Sequence, residues 1–147
     1  YGQLAWKLRQ DDRVRVVDRT NIRHADPSDL GAPFDLVVVD VSFIGVRKIA
    51  PILTRLGNRD TDFVVLVKPQ FELEREAVAK GGIVRETAHH LAAVQQAVAA
   101  MADAGLGALG VTPSPITGAK GNREFLVWFR HEPSRIGEAE LREAVAS

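Results

Sequence analysis

Two apolar runs constrain this chain more than any other feature: Phe34 to Val41, built on Leu36-Val37-Val38-Val39, and Asp62 to Lys68, built on Phe63-Val64-Val65-Leu66-Val67. Neither alternates polar with apolar as a half-exposed strand does, so both read as strands buried on both faces. Between them Val46, Ile49, Leu53 and Leu56 recur at helical spacing, and Gly57-Asn58 closes that helix. Pro51 falls inside it and marks either its first turn or a kink.

The same alternation extends both ways. A short helix, Gln3 to Arg9, leads into a strand at Val14-Arg15-Val16-Val17. After Pro69 comes a loop with Gly81-Gly82, then a long helix, Thr87 to Ala104, with Leu91, Val94, Val98 and Met101 on one stripe. Leu109 to Thr112 reads as a strand and Glu124 to Arg130 as the last one, with a Pro- and Gly-rich loop between; the final dozen residues suit an amphipathic helix. Alternating strands and helices predict a mostly parallel sheet with helices on both faces. The last two strands are joined by a loop of about ten residues, too short for a helical crossover, so the last strand is expected to be antiparallel. Methyltransferases are one large class that favours this arrangement.

The 147 residues suit one domain, and 46% apolar with 26% charged residues excludes disordered and fibrous classes. The absence of Cys excludes a disulfide framework, a zinc ribbon and a thiol nucleophile, and it fits a reducing cytosol. No apolar stretch approaches the length of a membrane span, and no secretory signal is read at the N-terminus. The 19 basic and 19 acidic side chains cancel, yet unevenly: residues 1–24 and 117–135 are basic, and 25–46 carry Asp26, Asp29, Asp35 and Asp40 with no base.

Open α/β sheets bind ligands at the carboxyl ends of their strands. That edge collects Asp18-Arg19-Thr20-Asn21, Asp40-Val41-Ser42-Phe43 and Lys68-Pro69-Gln70-Phe71, and from the antiparallel strand its start, Asn122-Arg123-Glu124. Asp40, Lys68 and Glu124 are therefore expected to converge. Singly, each has an ordinary structural explanation; together, an ammonium behind five apolar residues needs carboxylate partners, and two neighbouring strand ends offer them. Two other patterns carry no chemistry. Gly105-Leu106-Gly107-Ala108-Leu109-Gly110 matches a dinucleotide fingerprint, but it follows a helix and opens a strand, the reverse of what that loop needs. His89 and His90 are adjacent on a helix and face different ways, so no metal site is expected.

The strings Tyr1-Gly-Gln-Leu-Ala-Trp-Lys-Leu-Arg, Phe34-Asp-Leu-Val-Val-Val-Asp-Val-Ser-Phe-Ile, Val67-Lys-Pro-Gln-Phe-Glu, Gly81-Gly-Ile-Val-Arg and Thr112-Pro-Ser-Pro-Ile-Thr-Gly-Ala-Lys-Gly-Asn-Arg-Glu-Phe resemble the TlyA family of FtsJ-like ribosomal RNA 2′-O-methyltransferases, often labelled hemolysin A. The resemblance implies a Rossmann-like methyltransferase domain over residues 1–134, with 135–147 a C-terminal helix or tail. It implies S-adenosyl-L-methionine as cofactor and cytidine ribose of 16S/23S ribosomal RNA, naked or in subunits, as substrate, in the cytoplasm, with no metal and no membrane. The family's catalytic tetrad is Lys-Asp-Lys-Glu. Asp40 matches its aspartate, Lys68 its second lysine and Glu124 its glutamate; Thr20, Asn21 and Asp40 match cofactor contacts. The first lysine and the glycine-rich cofactor loop are expected upstream of Tyr1, so the domain reads as N-terminally truncated.

In such a site a lysine whose pKa is lowered by burial takes the proton of the ribose hydroxyl, and Lys68 is the candidate. Lys120 and Arg123 are candidates for clamping phosphates, and Phe43 and Phe71 for stacking on a base, Phe71 being the more suited to the core. Two rival readings are a non-catalytic or RNA-binding module of the same fold and a membrane-active hemolysin. The second is opposed by the absence of a spanning segment and of a basic helix with a large apolar face.

Overall fold

The computed structural model describes residues 4–74, 78 and 81–147; Gln3, the expected start of the first helix, lies outside them. Helix α1 (Trp6–Arg9) and helix α2 (Pro27–Leu30), separated by a 3₁₀ turn at Ile22–His24, precede strand β1 (Phe34–Val39). Then follow α3 (Val46–Leu53), β2 (Gly57–Val67), α4 (Pro69–Glu72), α5 (Thr87–Asp103), β3 (Gly107–Pro113), β4 (Phe125–Arg130) and α6 (Glu138–Ala146).

The strands form one sheet in the order β1-β2-β4-β3. β1 and β2 are parallel, and β4 is antiparallel to both β2 and β3. Three strands thus run one way and the last runs against them, as the short β3–β4 connection requires. Pro51 sits in the interior of α3 rather than in its first turn, and the helix tightens into a 3₁₀ turn at Thr54–Leu56 soon after it.

Burial follows the pleat. Phe63, Val65 and Val67 of β2 and Phe125, Val127 and Phe129 of β4 are wholly buried, and Val37 and Val39 of β1 join them. Ile49 and Leu53 from α3, Val94, Ala97 and Met101 from α5, and Leu141 and Val145 from α6 close this single core. Gly105 ends α5 at φ +90°, with Leu106 N–H on Met101 C=O and Gly105 N–H on Ala102 C=O. That pattern is a Schellman stop, so the dinucleotide-like string is a helix terminus as expected.

Two expectations need correction. Val14 to Val17 joins no strand ladder: a strand exists only where a neighbour takes up its backbone hydrogen bonds, and no described strand lies beside this segment. Arg9 and Asp18, on either side of this segment, form an ion pair. β1 is not buried on both faces, because Leu36 and Val38 are 59% and 70% exposed. The described helices that pack on the sheet share the one core with Val37 and Val39, and among the described residues no helix covers the other face.

Candidate active site

Strand register brings the site together. Val67 lies opposite Phe125, so one step beyond the pair Lys68 and Glu124 emerge at the same sheet edge. Val39 pairs with Val65 in the parallel ladder, which delivers Asp40 to that edge too. Lys68, the residue before α4, places Nζ 2.6 Å from Asp40 Oδ1 and 3.2 Å from Ser42 Oγ. Its side chain is 12% exposed against 70% for Asp40, a covered ammonium beside an open carboxylate. These two contacts use two of its three N–H bonds.

Glu124 does not meet Lys68 directly. Its Oε2 accepts a 2.9 Å hydrogen bond from Gln70 Nε2, and the residue is 7% exposed. Gly118 packs on the carboxylate so closely that a Cβ there would stand 1.9 Å from Oε2. The loop carrying Glu124 is fastened from behind by Asn122, 2% exposed. Its amide donates to Gly82 and Ala119 C=O at 2.8 and 3.0 Å, and its Oδ1 accepts from Val84 N–H at 2.9 Å. His90 Nε2 meets Val84 C=O at 2.9 Å, so the two adjacent histidines diverge: His90 is buried and His89 pairs with Glu86. The pairing of Gly82 and Val84 with Asn122 is not visible as a sequence motif; the contact exists only once α5 and β3 have returned the chain.

Phe43 stands on the loop after Asp40, 88% exposed, with φ +65°. Its ring tilts against that of Phe71 at 5.0 Å between centroids. Left-handed φ is costly for a bulky residue and concentrates at functional loops. The other described non-glycine residues with positive φ, Arg19 and Lys120, also lie on loops that carry candidate residues. One residue past Phe71, Glu72 accepts a 2.8 Å hydrogen bond from Val46 N–H and so caps α3. Burial raises its pKa to about 7, against the opposing pull of the Val46 N–H and the Arg47 charge.

The remaining candidates are more peripheral. Thr20 Oγ donates to Asp18 C=O at 3.0 Å, and Asn21 Oδ1 accepts from Arg23 N–H at 3.0 Å, capping the turn that packs on α3. Lys120 Nζ donates to Gly81 C=O and thereby belongs to the clasp between the two loops. Arg123 departs from its expected place. Its guanidinium donates to Val145 and Ser147 C=O, both at 2.7 Å, and lies over the Phe125 ring. Here it serves the end of α6, where orphan carbonyls attract a cation, rather than an open loop. Phe71 is half-buried beside Phe43 rather than in the core. Ser42, Gln70 and Asn122 fall within the strand-end strings that the sequence places at this edge, but nothing in the sequence singles out their contacts; Glu72 lies just outside those strings, and its cap on α3 has no sequence signal. Among the described residues no three His, Asp or Glu side chains gather as metal ligands.

A family model for FtsJ-like methyltransferases matches residues 1–131. The chain is 41% identical over 146 residues to the 16S/23S rRNA (cytidine-2′-O)-methyltransferase TlyA of Mycobacterium tuberculosis, covering 99% of this chain and 54% of that protein. It is 40% identical over 130 residues to Hemolysin A of Brachyspira hyodysenteriae, covering 88% and 54%. A solved hemolysin-labelled structure from Streptococcus thermophilus superposes with a TM-score of 0.92 at 39% identity, over 99% of this chain and 54% of that one. The chain spans about half the length of the curated relatives it matches. A match of this extent, on a sheet of the same shape, makes the chain a member of the FtsJ-like methyltransferase family.

Proposed function

We propose that the protein carries out 2′-O-methylation of ribose in ribosomal RNA, with cytidine in 16S/23S RNA as the target and S-adenosyl-L-methionine as the donor. The observation that carries this reading is the Lys68–Asp40 pair at 2.6 Å, at a strand edge shared with the Gln70-held Glu124. It is supported by the family membership and by a relative whose name states that reaction.

The donor set at the edge suits the cofactor. Asn21 uses its carbonyl within the chain and keeps its amide N–H groups for a ring-nitrogen acceptor; the Thr20 hydroxyl retains its lone pairs; and Asp40 is open to solvent. When bound, the cofactor supplies an electrophilic methyl group on a sulfonium. The chain's own contribution is alignment and proton handling. Lys68 accepts the proton of the 2′-hydroxyl at Nζ, and Asp40 stabilises the ammonium that results. Phe43, exposed on a strained loop, stacks on the target base, and Lys120 meets the backbone. A 2′-hydroxyl restricts the substrate to RNA.

Labelled-methyl transfer by the protein, expressed at the full length of its gene, onto ribosomal RNA lacking the modification tests this. Transfer is expected on RNA and lost when the target ribose is replaced by deoxyribose. Transfer that survives that replacement overturns the reading.

A further inference from the structure

The turn after Lys68 is a junction. Lys68 meets Asp40, Gln70 meets Glu124, Phe71 meets Phe43 and Glu72 meets the first N–H of α3. Lys68 and three residues of the helical turn that follows it, α4, thereby grip the loop after β1, the start of α3 and the loop before β4. Pro69 at the first helical position fixes the turn's entry, where its lack of an N–H costs nothing.

Within this junction we propose that Gln70 is a positioning residue, whose amide holds the Glu124 carboxylate in its working orientation at the sheet edge it shares with Lys68. This rests on the methyltransferase reading above and deepens it. Three observations carry it. Gln70 Nε2 donates to Glu124 Oε2 at 2.9 Å, across 54 residues of sequence. The opposite side of that carboxylate is closed by Gly118, against which no Cβ fits. The carboxylate is thus held between a donor and bare backbone, and losing the donor leaves nothing to fix its rotation. Third, Gln70 Oε1 is buried with no hydrogen-bond partner among the described residues. Turning the amide over would set that oxygen against the carboxylate, so the geometry admits only the orientation in which Nε2 faces Glu124. Leaving an acceptor unmade is unfavourable, and it is tolerated here where the other end of the amide holds a charged group.

Gln70→Met keeps length and helix preference and removes the donor. In the full-length protein it is expected to lower kcat for ribosomal RNA about tenfold to a hundredfold, with KM for RNA and for cofactor within about twofold. In a Glu124→Ala background the same substitution is expected to cost nothing further, because Gln70 acts through Glu124. An unchanged kcat in the single variant, or an equal loss in both backgrounds, overturns the proposal while leaving methyl transfer by the wild type intact. A wild type without transfer refutes the underlying reading instead. A crystal structure of Gln70→Met decides the positioning claim without turnover: the Glu124 carboxylate leaves its seat against Gly118 if the claim holds, and an unmoved carboxylate overturns it.

Discussion

Lys68 Nζ lies 2.6 Å from Asp40 Oδ1, with the lysine side chain 12% exposed and the aspartate 70% exposed. The pair is anchored on the lysine side, by the end of a central strand, and open on the aspartate side. Lys68→Ala is therefore expected to lower methyl transfer by about 10²–10⁴-fold, the range of a lost acid–base group, with the far-ultraviolet dichroism unchanged. Turnover within a factor of a few of the wild type would remove Lys68 from the mechanism.

Gly118→Ala is expected to be harmful for a steric reason alone. Its φ of −83° suits any residue, but the added methyl would meet the Glu124 carboxylate. The expected loss is about 1–3 kcal/mol of stability by denaturant unfolding. In a Glu124→Ala background most of that loss should vanish, since the clashing atoms are gone; additive losses in the double variant contradict the contact.

Phe43→Gly should move stability and activity in opposite directions. A residue at φ +65° with an 88% exposed ring contributes little packing, and glycine relieves the left-handed strain, for an expected gain of up to about 1 kcal/mol. Transfer to RNA should fall together with affinity for RNA. If instead the variant melts lower and methylates normally, the ring serves packing with Phe71 and not the substrate.

Glu72 makes stability depend on pH. Its pKa in the folded protein is about 7 against 4.5, chiefly through burial, so between those values the folded state holds a proton the unfolded chain has released. Its contribution is therefore complete below pH 4.5 and is lost as pH rises through 7. Allowing for the solvent that still reaches the carboxylate, the loss is about 2 kcal/mol. Denaturant midpoints measured between those two pH values should fall for the wild type, and Glu72→Gln should remove that part of the slope. A variant with the wild-type slope shows that another group is titrating.

Arg123→Ala is expected to destabilise the end of α6 by about 1–2 kcal/mol, through loss of two charge-assisted hydrogen bonds to Val145 and Ser147 C=O. Because those bonds occupy the guanidinium, the salt dependence of RNA binding should stay as in the wild type, whereas Lys120→Ala should reduce its slope by about one. A reduced slope for Arg123→Ala returns it to the RNA surface.

The α/β alternation was legible because apolar period and run length are local properties. The runs at 36–39 and 63–67, the stripe on α5 and the glycine stop at Gly105 each follow from near neighbours in the chain. So was the antiparallel last strand, since a short connection leaves no room for a crossover. Asp40, Lys68 and Glu124 could be selected because strand ends are readable and the binding edge of such a sheet is a rule of topology. Ladder partners were not readable: Val14 to Val17 has strand-like residues but no described neighbour, and β1 looked doubly buried although one face of it is open. Nor could sequence show the side-chain contacts that span it: Gln70 to Glu124, Asn122 to the Gly82–Val84 loop, and Arg123 to the carbonyls of α6. Hydrogen bonds act over about 3 Å, and which groups come that close is set by strand register and loop return, not by neighbours in sequence. Strand ends and run lengths, local in the chain, already put Asp40, Lys68 and Glu124 at one edge of the sheet; what holds each of them there depends on contacts that only the folded chain makes.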